Sequence, residues 1–167
     1  LPHGNYQKLV VEEMKGKPES GNIVTEDGEV LGKHDGLFNY TIGQRKGLGI
    51  AYKHPLYVIG FNGDRNEVIV GPNERLFTNR MICKFYNFLD DTIHKELKAE
   101  GKIRYAANPS PCTARILDDD TMEVIFEEPQ RAITPGQSVA FYNGTQLLGG
   151  AVINRVCRSE EHTSELQ

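Results

Sequence analysis

The sequence predicts a mainly β protein, with a small central β-hairpin domain followed by a C-terminal antiparallel β-barrel. Three observations carry that reading. Two turn signals, Asp27-Gly28 and Asn62-Gly63-Asp64, each sit between short apolar runs, as hairpins require. From Met81 to Asn154, strand-like runs alternate with turn chemistry. Within one run, Cys112, Ala114 and Ile116 alternate with Thr113 and Arg115, the period-2 pattern of a strand with one wet face.

Taken in order, Asn5 caps a predicted short helix that carries Leu9, Val10 and Met14 and ends near Gly16, before Pro18. Asn22–Val24 and Glu29–Leu31 form the first hairpin, and Leu56–Phe61 with Glu67–Val70 the second. Residues 32–55 between them are rich in glycine and read as loop with at most a short helix. Gly71-Pro72-Asn73 marks a boundary. Beyond it, Met81–Phe88, Lys102–Tyr105, Cys112–Leu117, Thr121–Glu127, Gln137–Tyr142, Thr145–Leu148 and Ala151–Asn154 read as strands. Strands this short and close favour closure, which removes exposed edges. Thr92–Glu100 reads as a further helix, from Ile93 and Leu97 at i, i+4. The expected domains are a connector at 1–20, a central domain at 21–76, a barrel at 79–157 and a tail at 158–167.

The tail, Arg158–Gln167, has no apolar period and no turn logic. It resembles the in-frame translation of a sequencing adapter and is expected to be an artefact. Removing its one Arg and three Glu changes the net charge from −4 to −2. The opening Leu1-Pro2-His3-Gly4 has neither a signal peptide nor an initiator Met, so the chain is expected to begin within a longer protein.

With 38% hydrophobic and 25% charged residues, the chain can bury a core, which argues against disorder. No apolar run approaches the ~18–20 residues that span a bilayer. Cys83, Cys112 and Cys157 lack metal-ligand or disulfide spacing and fit a reducing, cytoplasmic compartment. Charge is unevenly distributed. Lys33, Arg45, Lys46 and Lys53 face only Asp35 between Leu31 and Lys53, whereas Asp118–Glu128 holds six acidic residues and no basic one. A local basic field on an acidic protein is a candidate nucleic-acid surface, and solvated surface charge is the alternative.

Tyr40-Thr41-Ile42-Gly43-Gln44-Arg45-Lys46-Gly47-Leu48-Gly49 is the most unusual stretch. Glycines around Gln44, Arg45 and Lys46 suit a phosphate or RNA contact, although on chemistry alone a structural glycine turn is the favoured reading. Its spacing is not that of a nucleotide phosphate loop. His34-Asp35-Gly36 reads as a turn with an incidental His. Cys112 reads as a packed small hydrophobe. Arg104 beside Tyr105 can grip phosphate and stack on a base, with snorkelling of Arg104 as the rival. Gln137, after Pro135-Gly136, offers a donor and an acceptor at a strand mouth but reads as structural on its own.

The order Gly21-Asn22-Ile23-Val24, Leu31-Gly32-Lys33-His34-Asp35-Gly36-Leu37, the Tyr40–Gly49 block, Lys102-Ile103-Arg104-Tyr105, Thr134-Pro135-Gly136-Gln137 and Leu148-Gly149-Gly150 resembles the bacterial tRNA-uridine 2-sulfurtransferases. The resemblance runs from about Gly21 to Val156. It implies an ATP pyrophosphatase domain, a central domain and a C-terminal barrel, of which this sequence resembles the latter two. The family's Ser-Gly-Gly-x-Asp-Ser loop and its two working cysteines have no counterpart here, so no catalytic residue is assigned. The resemblance assigns tRNA contacts to Arg104, Tyr105 and Gln137.

In the family, ATP adenylates the C2 oxygen of the wobble uridine, and a cysteine persulfide then delivers sulfur. The implied cofactor is ATP, with no metal, and the implied partners are tRNA and a persulfide relay protein. This chain would bind and position tRNA. The alternative is a stand-alone RNA-binding barrel resembling a translation-factor domain, without catalysis.

Overall fold

A computed structural model of the chain describes residues 19–90, 95–103 and 108–157. The helix expected after Asn5, residues Arg104 and Tyr105, and the tail from Arg158 lie outside the described residues. The chain forms two compact units, Leu1–Phe77 and Thr78–Gln167.

The first unit holds a four-stranded sheet of β1 (Gly21–Thr25), β2 (Val30–His34), β3 (Tyr57–Asn62) and β4 (Glu67–Gly71), in the order β2-β1-β4-β3. Both predicted hairpins form. The sheet is completed by parallel pairing of β1 with β4, Ile23 lying opposite Val68. Ile23, Val58, Val68 and Val70 are buried with Leu37, Leu48 and Leu56 from the intervening segment, so that segment packs on the sheet that its ends define. Only a 3₁₀ turn, Leu37–Asn39, interrupts it.

The second unit is a closed six-stranded barrel. Its strands are β5 (Phe77–Phe88), β6 (Glu96–Lys102), β7 (Ser110–Ile116), β8 (Thr121–Arg131), β9 (Ser138–Asn143) and β10 (Gln146–Cys157), in the cyclic order β10-β5-β8-β7-β6-β9. Met81, Cys83, Cys112, Ala114, Met122, Val124, Phe126, Phe141 and Ile153 fill the interior from alternate strand positions.

Three expectations are corrected here. The helix predicted over Thr92–Glu100 gives way to β6 from Glu96 onward, because Leu97 and Ala99 pack on the core while Glu96 and Lys98 face solvent. Residues 92–94 lie outside the described residues. The strand expected at Lys102–Tyr105 ends at Lys102 as a strand, with Ile103 buried just beyond it. The two predicted strands around Gly149-Gly150 are one, bent by bulges at Leu147/Gly149 and Gly150/Val152.

Candidate nucleic-acid interface

In the first unit, the Tyr40–Gly49 block opens a loop closed at its neck by backbone hydrogen bonds. Gly43 N–H donates to Val58 O (2.8 Å), and Val58 N–H donates to Gln44 O (2.9 Å). Gly43, Gly47 and Gly49 all have positive φ, which only glycine adopts cheaply. The Gln44 side chain braces this turn: its Oε1 accepts from Thr41 N–H (3.0 Å) and its Nε2 donates to Lys46 O (2.9 Å). Gln44 therefore acts within the loop, while Arg45 and Lys46 are exposed. Neither cation is paired with a carboxylate among the described residues.

Beyond Gly47 the chain forms neither strand nor helix until β3, and alternate residues face inward and outward. Leu48, Ile50 and Tyr52 pack on the core, and Gly49, Ala51 and Lys53 face outward. No helix follows the loop, so its amides do not form the helix-capped cradle that a nucleoside triphosphate requires. The Gly43–Gly49 loop therefore does not fit the phosphates of ATP in that way.

His34 is 1% exposed and wholly committed. Its Nδ1 accepts from Gly36 N–H (3.0 Å), which leaves Nε2 to donate to Asn66 O (2.8 Å). Its ring meets Tyr40 edge-on at 5.9 Å. Burial, and then the charge of Asp35, raise the Tyr40 phenol above its ordinary value. The incidental His of the sequence is thus a structural pin.

In the barrel, Gln137 follows a tight turn in which its N–H donates to Thr134 O (3.2 Å) and its carbonyl accepts from Ile153 N–H (2.8 Å). The backbone is thereby fixed, while the half-buried side-chain amide makes no hydrogen bond among the described residues. β6 runs antiparallel to β9 with Lys102 opposite Ala140, so Lys102 and Gln137 share one end of the barrel. Arg104 and Tyr105, two and three residues after Lys102 in the sequence, lie outside the described residues. The Asp118–Asp120 turn, which joins β7 to β8, lies at the other end, since β7 pairs Gly101 with Ser110 and Glu96 with Arg115. Sequence reasoning grouped Glu123 with that acidic stretch, but Glu123 is buried between Arg80 (2.6 Å) and Arg115 (2.8 Å).

The cysteines are all buried. Burial dominates in pushing the Cys112 thiol up to about 12 and raises Cys83 further, so neither is a thiolate at neutral pH. Among the described residues no group of three or more His, Cys, Asp or Glu could hold a metal ion. No helix among them is long and apolar enough to cross a membrane.

Two family models match this architecture unit by unit. Residues 8–72 match one described as "tRNA methyl transferase PRC-barrel domain", and residues 78–153 one described as "Aminomethyltransferase beta-barrel domain". Both descriptions are of barrel domains named for group-transfer enzymes. The chain belongs to the tRNA-specific 2-thiouridylase family. It is 44% identical over 152 residues to the tRNA-specific 2-thiouridylase MnmA of Clostridioides difficile (strain 630), a match covering 90% of this chain and 42% of that protein. It is 42% identical over 164 residues to the MnmA of Geotalea uraniireducens (strain Rf4), covering 98% of this chain and 44% of that protein. The chain therefore spans less than half the length of these relatives.

Proposed function

We propose that this chain is the tRNA-gripping part of a tRNA-uridine 2-sulfurtransferase acting on the wobble uridine. The observation that carries this reading is the likeness to proteins named tRNA-specific 2-thiouridylase along nine-tenths of the chain. ATP activation and delivery of persulfide sulfur by a relay protein are chemistry for the remainder of the relatives' length. The reaction would take place in the cytoplasm.

Within the reading, Arg104 neutralises phosphate, Tyr105 stacks on an unpaired base, and Gln137 supplies a neutral hydrogen bond. The uncommitted amide of Gln137, at the barrel end where Lys102 closes β6, supports this division of labour. Arg45 and Lys46 add cations from the first unit. All three thiols are buried, so the 167-residue chain alone should form no 2-thiouridine from ATP and a persulfide donor.

The test is tRNA binding across a salt series. Arg104→Ala should weaken binding and reduce the salt slope by about one unit. Tyr105→Ala should cost about 1–3 kcal/mol with little change of slope. Gln137→Ala should cost about 0.5–1.5 kcal/mol, nearly independent of salt. Folded variants that bind tRNA as the parent does would reduce the barrel to scaffold.

A further inference from the structure

The loop closed at Gly43, Gln44 and Val58 carries a second group of side chains that the tRNA contacts above leave unused. From Gly36 to Gly63 the sequence has no acidic residue. Arg45, Lys46, Lys53 and His54 are all exposed on this stretch. Its outward charge is therefore not neutralised by any carboxylate of its own, unlike that of Arg80 or Arg115 in the barrel.

Lys53 and His54 are also held in place. Tyr52 is the last of three alternate residues, with Leu48 and Ile50, that pack on the sheet. Its ring lies under the Lys53 ammonium, with Nζ 5.7 Å from the centroid. The His54 ring stands nearly perpendicular to it, at 86° and 5.0 Å. His54 Nδ1 lies 3.0 Å from Pro55 O. A carbonyl only accepts, so Nδ1 donates and Nε2 is the nitrogen left over. Nε2 makes no hydrogen bond among the described residues.

We propose that Lys53 and His54, oriented by Tyr52, form a contact for an RNA ribose–phosphate unit. Lys53 takes the phosphate. His54 Nε2 takes the ribose 2′-hydroxyl, which can both donate and accept. Tyr52 is a positioning residue and touches no RNA. The inference rests on the tRNA-binding reading and extends it to a feature distinct from Arg104, Tyr105 and Gln137.

The experiment measures binding of the 167-residue chain to a tRNA transcript and to its all-deoxy counterpart across a salt series. Lys53→Ala should weaken binding to both about threefold to tenfold and lower the salt slope by about one. His54→Ala should weaken binding to the RNA more than to the DNA. Lys53→Ala alone should leave the RNA-to-DNA preference unchanged. Tyr52→Phe keeps the ring and should bind as the parent does, whereas Tyr52→Leu frees both side chains and should lose affinity and part of the preference for RNA. Should Tyr52→Leu fail to fold, the exposed Lys53 and His54 variants still decide the matter. If both of them bind as the parent does while Arg45→Ala or Gln137→Ala weakens binding, this inference is wrong and the tRNA reading stands. If the parent chain binds no tRNA, both fall together.

Discussion

His34 Nε2 reaches across 32 residues of sequence to the backbone oxygen of Asn66, 2.8 Å away, and ties β2 to the turn between β3 and β4. Gly21 on β1 lies opposite His34 in register and leaves room for that bond. A Cβ at Gly21 would meet Asn66 O and come within 2.7 Å of His34 Nε2.

The first prediction follows from that pin. His34→Ala should destabilise the first unit by about 1–3 kcal/mol, because it strands Gly36 N–H and Asn66 O without their partner. Gly21→Ala should act in the same direction through the clash. Denaturant melts followed by tyrosine fluorescence read both, and an unchanged midpoint for His34→Ala would remove the pin from the account.

Glu123 sets up an asymmetric pair of variants. Glu123→Ala leaves the Arg80 guanidinium, whose side chain is 15% exposed, without its carboxylate, and should cost about 3–5 kcal/mol. Arg115 is 55% exposed, so Arg115→Ala should cost less than about 1 kcal/mol. Equal losses from the two substitutions would contradict this ordering.

The buried thiols give a pH dependence. Burial raises Cys112 to about 12, so folding disfavours its thiolate. Its contribution to stability is complete below the ordinary thiol range and is lost as pH rises from there towards 12. Native protein at pH 8 should resist iodoacetamide at all three cysteines and react on unfolding. Rapid labelling of folded protein would show that the interior opens.

Asp118 responds in the opposite direction. Its carboxylate accepts from the backbone N–H groups of Asp120 (2.9 Å) and Thr121 (2.8 Å), which hold it below the usual carboxylate range. The turn is supported above the ordinary Asp value and should loosen as pH falls through the lowered one. Amide exchange at Asp120 and Thr121 should quicken there, and Asp118→Ala should remove that step.

The fold was largely legible where local chemistry decides it. Asp27-Gly28 and Asn62-Gly63-Asp64 announced their hairpins, and Cys112, Ala114 and Ile116 announced a barrel strand. β6 was misread although Leu97, Ala99 and Gly101 alternate strictly with charged residues, because Ile93 and Leu97 also satisfy a helical spacing. Gly149 was read as a break. In the barrel it lets β10 approach the Asn87 backbone so closely that no Cβ would fit. The parallel pairing of β1 with β4 joins segments over 40 residues apart, which no local signal reports. At the candidate loop, Arg45 and Lys46 are exposed, and these two cations and the glycines were visible in the sequence. The internal role of Gln44 was not, because its amide binds backbone groups whose positions only the folded loop defines.

The neck formed by Gly43, Gln44 and Val58 has a consequence for how the molecule can change. Two backbone hydrogen bonds fix where the loop closes beside β3, and the neck relies on Gly43, whose φ is positive, and on Gln44, not on the outward residues beyond Gly47. Outward positions such as Ala51, Lys53 and His54 can therefore be exchanged or lengthened without shifting the register of β3 against β4. The closure cost of a longer excursion grows only slowly, by about 0.6 kcal/mol for each doubling. The segment behaves as an interchangeable cassette, which allows affinity for a ligand to diverge among relatives while the supporting sheet stays the same.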